Sequence, residues 1–379
     1  MIAFLINELD IRGGTHKQFL KLLDYTERQG EQFFIITKKV DFTKTYPDFR
    51  KYEEQIRIFP YEKLTKNPLK LLRQMSTLRN MVFSADCVNI HDSGFEVLLP
   101  ALRGKRIVWQ VNDLPYCFKY GVSANAKITI RRKILKRYLT FCRRYVTEFC
   151  VNVTKNAERI KVAFNRDAHV FYCGIEPVGV ARDIEETFNR FKERKINILS
   201  SGVFFPYRNY ETQIDVVDNL CKQGIDAMLR IIGSTSLNKK YSSKIQTMID
   251  ERNLSKHITI CGQVDEDEFR RLHTDADIFF FINLDQSWGL AVFEAMSCGL
   301  PVVVSNSVGA TEILTNSKNA VFVDPKDSDA IVATISQLMG DENYYRRISD
   351  NAGRFHTQYT WDNAYCSKML DLIKDVSSK

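Results

Sequence analysis

The 379-residue sequence is short of the residues that staple or span: it holds six histidines and nine cysteines. The cysteines, at 87, 117, 142, 150, 173, 221, 261, 298 and 366, are odd in number and scattered, with no Cys-x-x-Cys pair. That spacing excludes a disulfide framework and points to a reducing compartment. No His-x-x-x-His pair offers a zinc site, so no structural metal is expected. Long hydrophobic runs are missing too. The longest uncharged stretch, Ala295 to Thr311, is interrupted by Gly299, Pro301 and Asn306, which a bilayer-crossing helix tolerates poorly. The opening run Ile2–Ile6 meets Asn7, Glu8 and Asp10 at once, too soon for a secretory leader, and a cytoplasmic protein is expected.

What is present is an apolar, unevenly charged chain. Hydrophobic residues make up 44% and charged ones 26%, a globular composition, and the length suits two domains better than one core. The net charge of +8 conceals an asymmetry. Residues 1–180 carry 31 Lys/Arg against 18 Asp/Glu, a surplus of thirteen, whereas the remainder carries 23 against 28, a deficit of five. Anionic partners therefore belong with the first half.

Short apolar runs alternate with amphipathic stretches along most of the chain. Candidate strands are Ile2–Ile6, Phe33–Thr37, Ile56–Phe59, Cys87–Ile90, Ile107–Val111, Phe149–Val153 and His169–Tyr172. After these come Ile196–Gly202, Ala227–Ile232, His257–Cys261, Asp277–Ile282, Pro301–Ser305 and Ala320–Val323. Continuous Val/Ile/Phe runs without alternation indicate strands buried on both faces, hence parallel sheets covered by helices. The clearest helices of the first half are Thr15–Gln29, Pro68–Val82, Gly94–Leu102 and Lys127–Tyr145. The reading is α/β: two Rossmann-like, doubly wound domains, 1–180 and 181–358, then a terminal helix in 359–379 that crosses back to the first. The join falls where Gly174, Pro177 and Gly179 precede the charged stretch Arg182 to Lys195.

Ligands of open parallel sheets sit beyond the carboxyl ends of the strands, where helix-start amides attract anions. Three strand-end loops hold suitable chemistry. In Ile11-Arg12-Gly13-Gly14-Thr15-His16, paired glycines let a phosphate approach the backbone, although Gly-x-Gly-x-x-Gly is absent and a dinucleotide site is disfavoured. Arg208 follows the strand that ends at Gly202 and can bond a diphosphate through its guanidinium. Most specific is the run Asp285-Gln286-Ser287-Trp288-Gly289-Leu290, continuing through Glu294 to Gly299-Leu300-Pro301-Val302. It starts a helix whose free amides can meet a sugar or phosphate, and it sets Glu294 among Val292, Phe293, Ala295 and Met296, where a carboxylate needs a partner such as ribose hydroxyls.

With these residues in place, the sequence resembles the retaining glycosyltransferases of the GT-B fold that carry a Glu-x7-Glu signature. The resemblance is strongest from Ile196 to Trp361. In the first half it rests on Gly13-Gly14, Asn89-Ile90-His91-Asp92 and Trp109-Gln110-Val111-Asn112-Asp113. It implies two domains facing a central cleft, a nucleoside-diphosphate sugar as donor, and Gly13 and Gly14 against that donor. Arg208 would grip the diphosphate and Glu294 the ribose. The backbone of Trp288, Gly289 and Leu290 would face the transferred sugar, and Gly262 and Val264 would lodge the base. His16, His91 and Asp113 are the acceptor-side candidates. Three positions depart from the family pattern: Gln286 replaces the first signature glutamate, Val203 a phosphate-binding arginine, and Asn112 a histidine near the donor sugar. Arg208, Gln286 and Asn112 are the catalytic candidates.

The implied reaction is same-face transfer to an acceptor hydroxyl, with the leaving diphosphate helping to deprotonate it and with no metal or other cofactor. A surface polysaccharide or glycolipid pathway is the setting suggested by analogy. A degenerate nucleotide-sugar-binding subunit and a nucleotide-sugar epimerase stay open as alternatives. Lys127 to Arg144 contains eight Lys/Arg and no acid, with Ile130, Ile134, Leu135, Tyr138, Leu139, Phe141 and Cys142 at helical spacing. It reads either as a core-facing helix with a solvated basic side or as a peripheral contact with the anionic inner face of the membrane, useful for a lipid-linked or glycan acceptor. No recognition motif for nucleic acid accompanies the charge.

Overall fold

The computed structural model describes residues 1–62, 67–118, 126–285 and 288–378. The chain divides into one unit made of 1–174 and 361–379 and a second made of 175–360.

The first unit is built on seven strands: β1 (Ile2–Ile6), β2 (Phe33–Thr37), β3 (Ile56–Ile58), β4 (Cys87–His91), β5 (Arg106–Gln110), β6 (Glu148–Val151) and β7 (His169–Val170). They lie in the order β3-β2-β1-β4-β5-β6-β7, and every pairing is parallel. Strands β1 and β4 are buried at every position, as the unbroken apolar runs require. The order reverses between β1 and β4, the switch point at which such sheets open a crevice beyond their carboxyl ends.

Helices α1 (Gly14–Arg28), α2 (Pro68–Met81), α3 (Ala126–Cys142) and α4 (Thr154–Phe164) cover the sheet. The helix expected over Gly94–Leu102 is instead a 3-10 turn, Glu96–Leu102. Gly94 sits at φ +116, outside helical space, and Pro100 removes a donor within the segment.

Helix α3 divides its apolar residues between two stripes. Leu135, Tyr138, Leu139 and Cys142 pack on the core that also takes Leu78, Val82, Leu98 and Leu102. Ile130, Ile134 and Phe141 are 58%, 64% and 54% exposed, so they belong to a second face. At roughly 100° per residue these three fall within about 40° of one another, and exposed Lys133, Arg137 and Arg144 flank them. The single apolar face read from spacing is therefore corrected to one buried and one solvent-facing stripe.

In the second unit, β8 (Lys195–Ser201), β9 (Asp226–Ile232), β10 (Ile258–Gly262), β11 (Ile278–Phe281), β12 (Val302–Ser305) and β13 (Val321–Val323) form a parallel sheet in the order β10-β9-β8-β11-β12-β13. Its helices are α5 (Ile184–Lys192), α6 (Tyr210–Lys222), α7 (Lys239–Glu251), α8 (Glu266–Asp275), α9 (Leu290–Ser297), α10 (Ser328–Gly340) and α11 (Glu342–Phe355). The charged stretch before β8 is ordered as α5: Phe188 and Phe191 enter the core, and Arg190 pairs at 2.6 Å with the fully buried Asp277. The sheet reverses order between β8 and β11.

The chain ends in a π-turn, Asp362–Cys366, and α12 (Ser367–Ser378), both part of the first unit. Arg28 of α1 donates both Nη groups to Asp362, at 3.0 and 2.7 Å, and Lys374 pairs with Glu31 at 2.6 Å. Gly174 is packed so tightly that a Cβ there would lie 2.2 Å from Cα of Trp361. No described helix is long and apolar enough to cross a membrane.

Candidate nucleotide-sugar site

Glycines at successive strand ends open the carboxyl edge of the second unit's sheet. Gly202 N–H donates to Ile232 O and Gly233 N–H to Gly262 O, each at 2.8 Å, so the ends of β8, β9 and β10 run on as a bare backbone ledge. Gly233 has φ +150, and a Cβ there would fall 1.9 Å from Gly202 O, closer than any side chain permits. Gly262, at φ +70, faces open space. Val264, two residues on, is half-buried.

Arg208 lies across this ledge. Its guanidinium passes over Gly202, where a Cβ would come within 2.8 Å of Cζ, and rests 5.3 Å from the Tyr207 ring and 5.5 Å from the Phe281 ring. The turn that carries it is anchored to neighbouring strand ends. Asn209 Nδ2 donates to Ile282 O (3.2 Å) and Pro325 O (2.7 Å), Leu284 N–H to Tyr207 O (2.8 Å), and Tyr210 OH to Gly202 O (2.7 Å). Arg208 Nε is buried and has no hydrogen-bond partner among the described residues. A positioned, half-desolvated cation of this kind suits an incoming anion.

Phe281 joins Arg208 to the start of α9. Gly289, at φ +99, would drive a Cβ to 2.7 Å from the Phe281 ring, so glycine is needed both for the left-handed turn and for the contact. Gly289 gives α9 no side-chain cap among the described residues, so its first amides other than that of Val292, which donates to Gly289 O (3.0 Å), can meet a ligand. The Trp288 indole is buried and stacks on Phe293 (4.9 Å), continuing to Phe355 and Tyr359, so its ring is core and only its backbone borders the site. Glu294, one turn along α9, is half-buried and within electrostatic reach of His273. Burial lowers the pKa of His273, whose Nδ1 is 2.8 Å from Phe269 O. Val203 is half-buried beside the Arg208 turn, and Gln286 lies outside the described residues.

The first unit's strand ends hold a network of amides. Gly13, with extended backbone, precedes α1 and gives it no side-chain cap, while Gly14 is exposed. Behind them is a hydrogen-bonded set. Asn112 Nδ2 donates to Gln18 Oε1 (2.8 Å) and Thr15 Oγ1 (3.5 Å), and Gln110 Nε2 to Asn112 Oδ1 (2.8 Å). Asn156 Nδ2 donates to Asn112 O (2.7 Å) and Asn152 Oδ1 (3.2 Å). Asn112 thus belongs to a buried amide network.

The three acceptor-side candidates separate. His91 is fully buried, its Nε2 3.2 Å from Thr15 O and its ring 4.9 Å from Phe19, and burial drives its pKa down to about 3. A direct acceptor contact is corrected to a neutral support beneath α1. His16 is buried as well, 2.8 Å from Glu8 O, with its pKa lowered by burial. Asp113 is exposed.

Sequence reasoning missed the groups around these candidates. Lys38 Nζ, buried beside Phe95, donates to Asn7 Oδ1 (2.8 Å) and Gly94 O (2.6 Å), and burial lowers its pKa. Asp92 adopts φ +68, and burial, with Asp113 next in weight, pushes its carboxyl up to about 7. The signal was available: Gln18, Gln110, Asn152 and Asn156 are amides set inside otherwise apolar strand ends and helix starts.

Residues 181–355 match the family of glycosyl transferases group 1. The second unit is a glycosyl transferases group 1 domain. Over 99% of both chains the fold is similar to Anabaena Alr3699/HepE, solved in complex with UDP, at TM-score 0.78 and 14% identity. The paired parallel sheets are thus of the GT-B class. The uncharacterized glycosyltransferase MJ1607 of Methanocaldococcus jannaschii is 25% identical over 51% of this chain and 50% of its own. The O-antigen chain mannosyltransferase B of Escherichia coli is 34% identical over 28% of this chain and 27% of its own. The chain therefore spans half or less of the length of these curated relatives.

Proposed function

We propose that this protein is a retaining glycosyltransferase that moves a sugar from a nucleoside diphosphate to an acceptor hydroxyl. The observation that carries the reading is Arg208, held over the glycine ledge with a buried Nε that has no partner among the described residues, and joined through Phe281 to the start of α9. The diphosphate binds Arg208 and the α9 amides, the base lies along Gly262 and Val264, and Glu294 accepts the ribose hydroxyls. Departure of the diphosphate builds negative charge where these donors already point, so they act more strongly in the transition state than in the ground state. Attack comes from the leaving-group side, and a diphosphate oxygen takes the acceptor proton. On the first unit, Gly13 and Gly14 offer backbone amides to carbohydrate, supported by the buried Asn112 network.

The complexes of Anabaena Alr3699/HepE with UDP and with UDP-glucose support a nucleotide-sugar donor for this chain as well. The exposed stripe of α3, with its cations and no acid, is assigned to an anionic bilayer, which suits a lipid-linked or glycan acceptor in polysaccharide or glycolipid synthesis. A thermal-shift screen with UDP-, GDP-, ADP- and TDP-sugars, followed by product analysis on the purified chain, tests the reading. One donor should stabilise the protein and be consumed with anomeric configuration retained. Stabilisation without product would leave a binding subunit, and an altered free sugar nucleotide would indicate epimerisation.

A further inference from the structure

The opposite edge of the first unit's sheet carries a second feature. At the amino-terminal ends of β5 and β6, Arg103, Lys105, Arg106, Arg144, Tyr145 and Thr147 line a shallow depression of about 440 Å³, and no acid lines it. Lys105 is committed: its Nζ donates to Phe83 O (2.8 Å) and Ala85 O (2.7 Å) and so fixes the turn after α2. Arg166 occupies Val146 O and Thr147 O from nearby, at 3.1 and 2.6 Å. The side chains of Arg103, Arg106 and Arg144 have no polar partner among the described residues. Three guanidiniums around one concavity repel each other and favour an oxyanion such as a phosphate group, whose several oxygens they can chelate through paired N–H groups.

Two phenyl rings border the depression. Phe83, 81% exposed, sits 5.9 Å from Lys105 Nζ, and Phe141, 54% exposed, sits 5.0 Å from Arg144 Cζ. A free phosphate has no use for these rings. The interface of a bilayer accommodates both parts, with rings at the acyl boundary and cations at headgroup level. Phe141 also continues into Ile134 and Ile130 along the exposed stripe of α3.

We propose that the depression formed by Arg103, Arg106 and Arg144 binds the phosphate of an anionic membrane lipid, with Phe83 and Phe141 entering the bilayer beside it. The proposal rests on the reading of α3 as a bilayer-facing helix and adds a headgroup site to it. Flotation of the full chain with phosphatidylcholine vesicles, with and without phosphatidylglycerol, tests both. The wild type should partition to the phosphatidylglycerol vesicles alone. Substitutions R103S, R106S and R144S together should lower that partition at least tenfold, while K239S, K240S and K256S, which remove equal charge from the second unit, should change it less than twofold. F83S with F141S should lower it as well. Equal flotation of the wild type on both vesicle types would overturn the bilayer reading itself. Lipid preference kept by the triple arginine variant would overturn the headgroup site and leave that reading standing. Protection by inorganic phosphate in a thermal-shift assay, with flotation unaffected by F83S and F141S, would assign the depression to a free anion instead.

Discussion

The two units share a sheet topology but equip their strand ends differently. In the second, glycines strip the backbone bare and Arg208 lies across it with a buried nitrogen that has no partner among the described residues. In the first, the corresponding edge is filled with amides that bond one another, and a histidine and an aspartate are held away from their charged forms by burial. An anion gains most from the second unit's arrangement, whereas neutral hydroxyls suit the first unit's amides. Under the proposed function this difference would divide the labour: nucleotide on the second unit, carbohydrate on the first.

The sharpest way to break that division is Arg208→Ala. Loss of one donor to a developing oxyanion typically costs about 2.7–4 kcal/mol, so turnover should fall on the order of 100- to 1,000-fold. Steady-state assays showing less than a tenfold loss would remove Arg208 from the role. Glu294→Gln comes next. A hydrogen bond to a charged group contributes about 1.5–3 kcal/mol, so the Kd for the nucleoside diphosphate should rise roughly 10- to 100-fold by calorimetry, with the melting temperature little changed.

Asn112→Ala probes the other side of the comparison. It leaves Gln18 Oε1 and Gln110 Nε2 without their present partner, at about 1–3 kcal/mol each. Calorimetric melting should show the first unit destabilised while nucleotide affinity stays within about twofold of wild type, since the stability effect is confined to that unit's own network. A nucleotide Kd shifted as far as that of the Glu294 variant would mean that the two units do not divide the donor and acceptor as proposed.

The fold was open to reading because it rests on local pattern: unbroken apolar runs such as Ile2–Ile6 and Val302–Ser305 are strands in the sequence and in the structure. The start of α9 was equally legible, since the run through Trp288-Gly289-Leu290 reads as a helix start and the helix begins at Leu290. What stayed hidden depends on neighbours distant in sequence. Gly233 looks ordinary until its Cβ is set against Gly202 O. Ile130, Ile134 and Phe141 share a helical period with Leu135 and Leu139, and only the packing of α3 on the sheet shows which stripe is covered. His91 entered as an acceptor-side candidate through the family resemblance, but enclosure around β4 makes it a neutral strut.

The comparison also predicts a pH signature in which two adjacent residues oppose each other. Asp92 has its carboxyl raised to about 7, while the unfolded chain releases that proton near 4. Between those values the folded state binds more protons, so its share of stability is present at low pH and lost as pH rises through 7. His91, lowered to about 3 by burial, behaves in the opposite sense: its contribution is complete above about 6.5 and is lost as pH falls toward 3. In the wild type the two slopes partly cancel. Asp92→Asn removes one and exposes the other, so the variant should gain in melting temperature relative to wild type from pH 5 to 7 and hold a constant difference above. Taking the difference between the two proteins cancels every other titrating group, so a pH-independent gap would mean that Asp92 ionises normally and that the first unit's strand ends are not the low-polarity setting assigned to them.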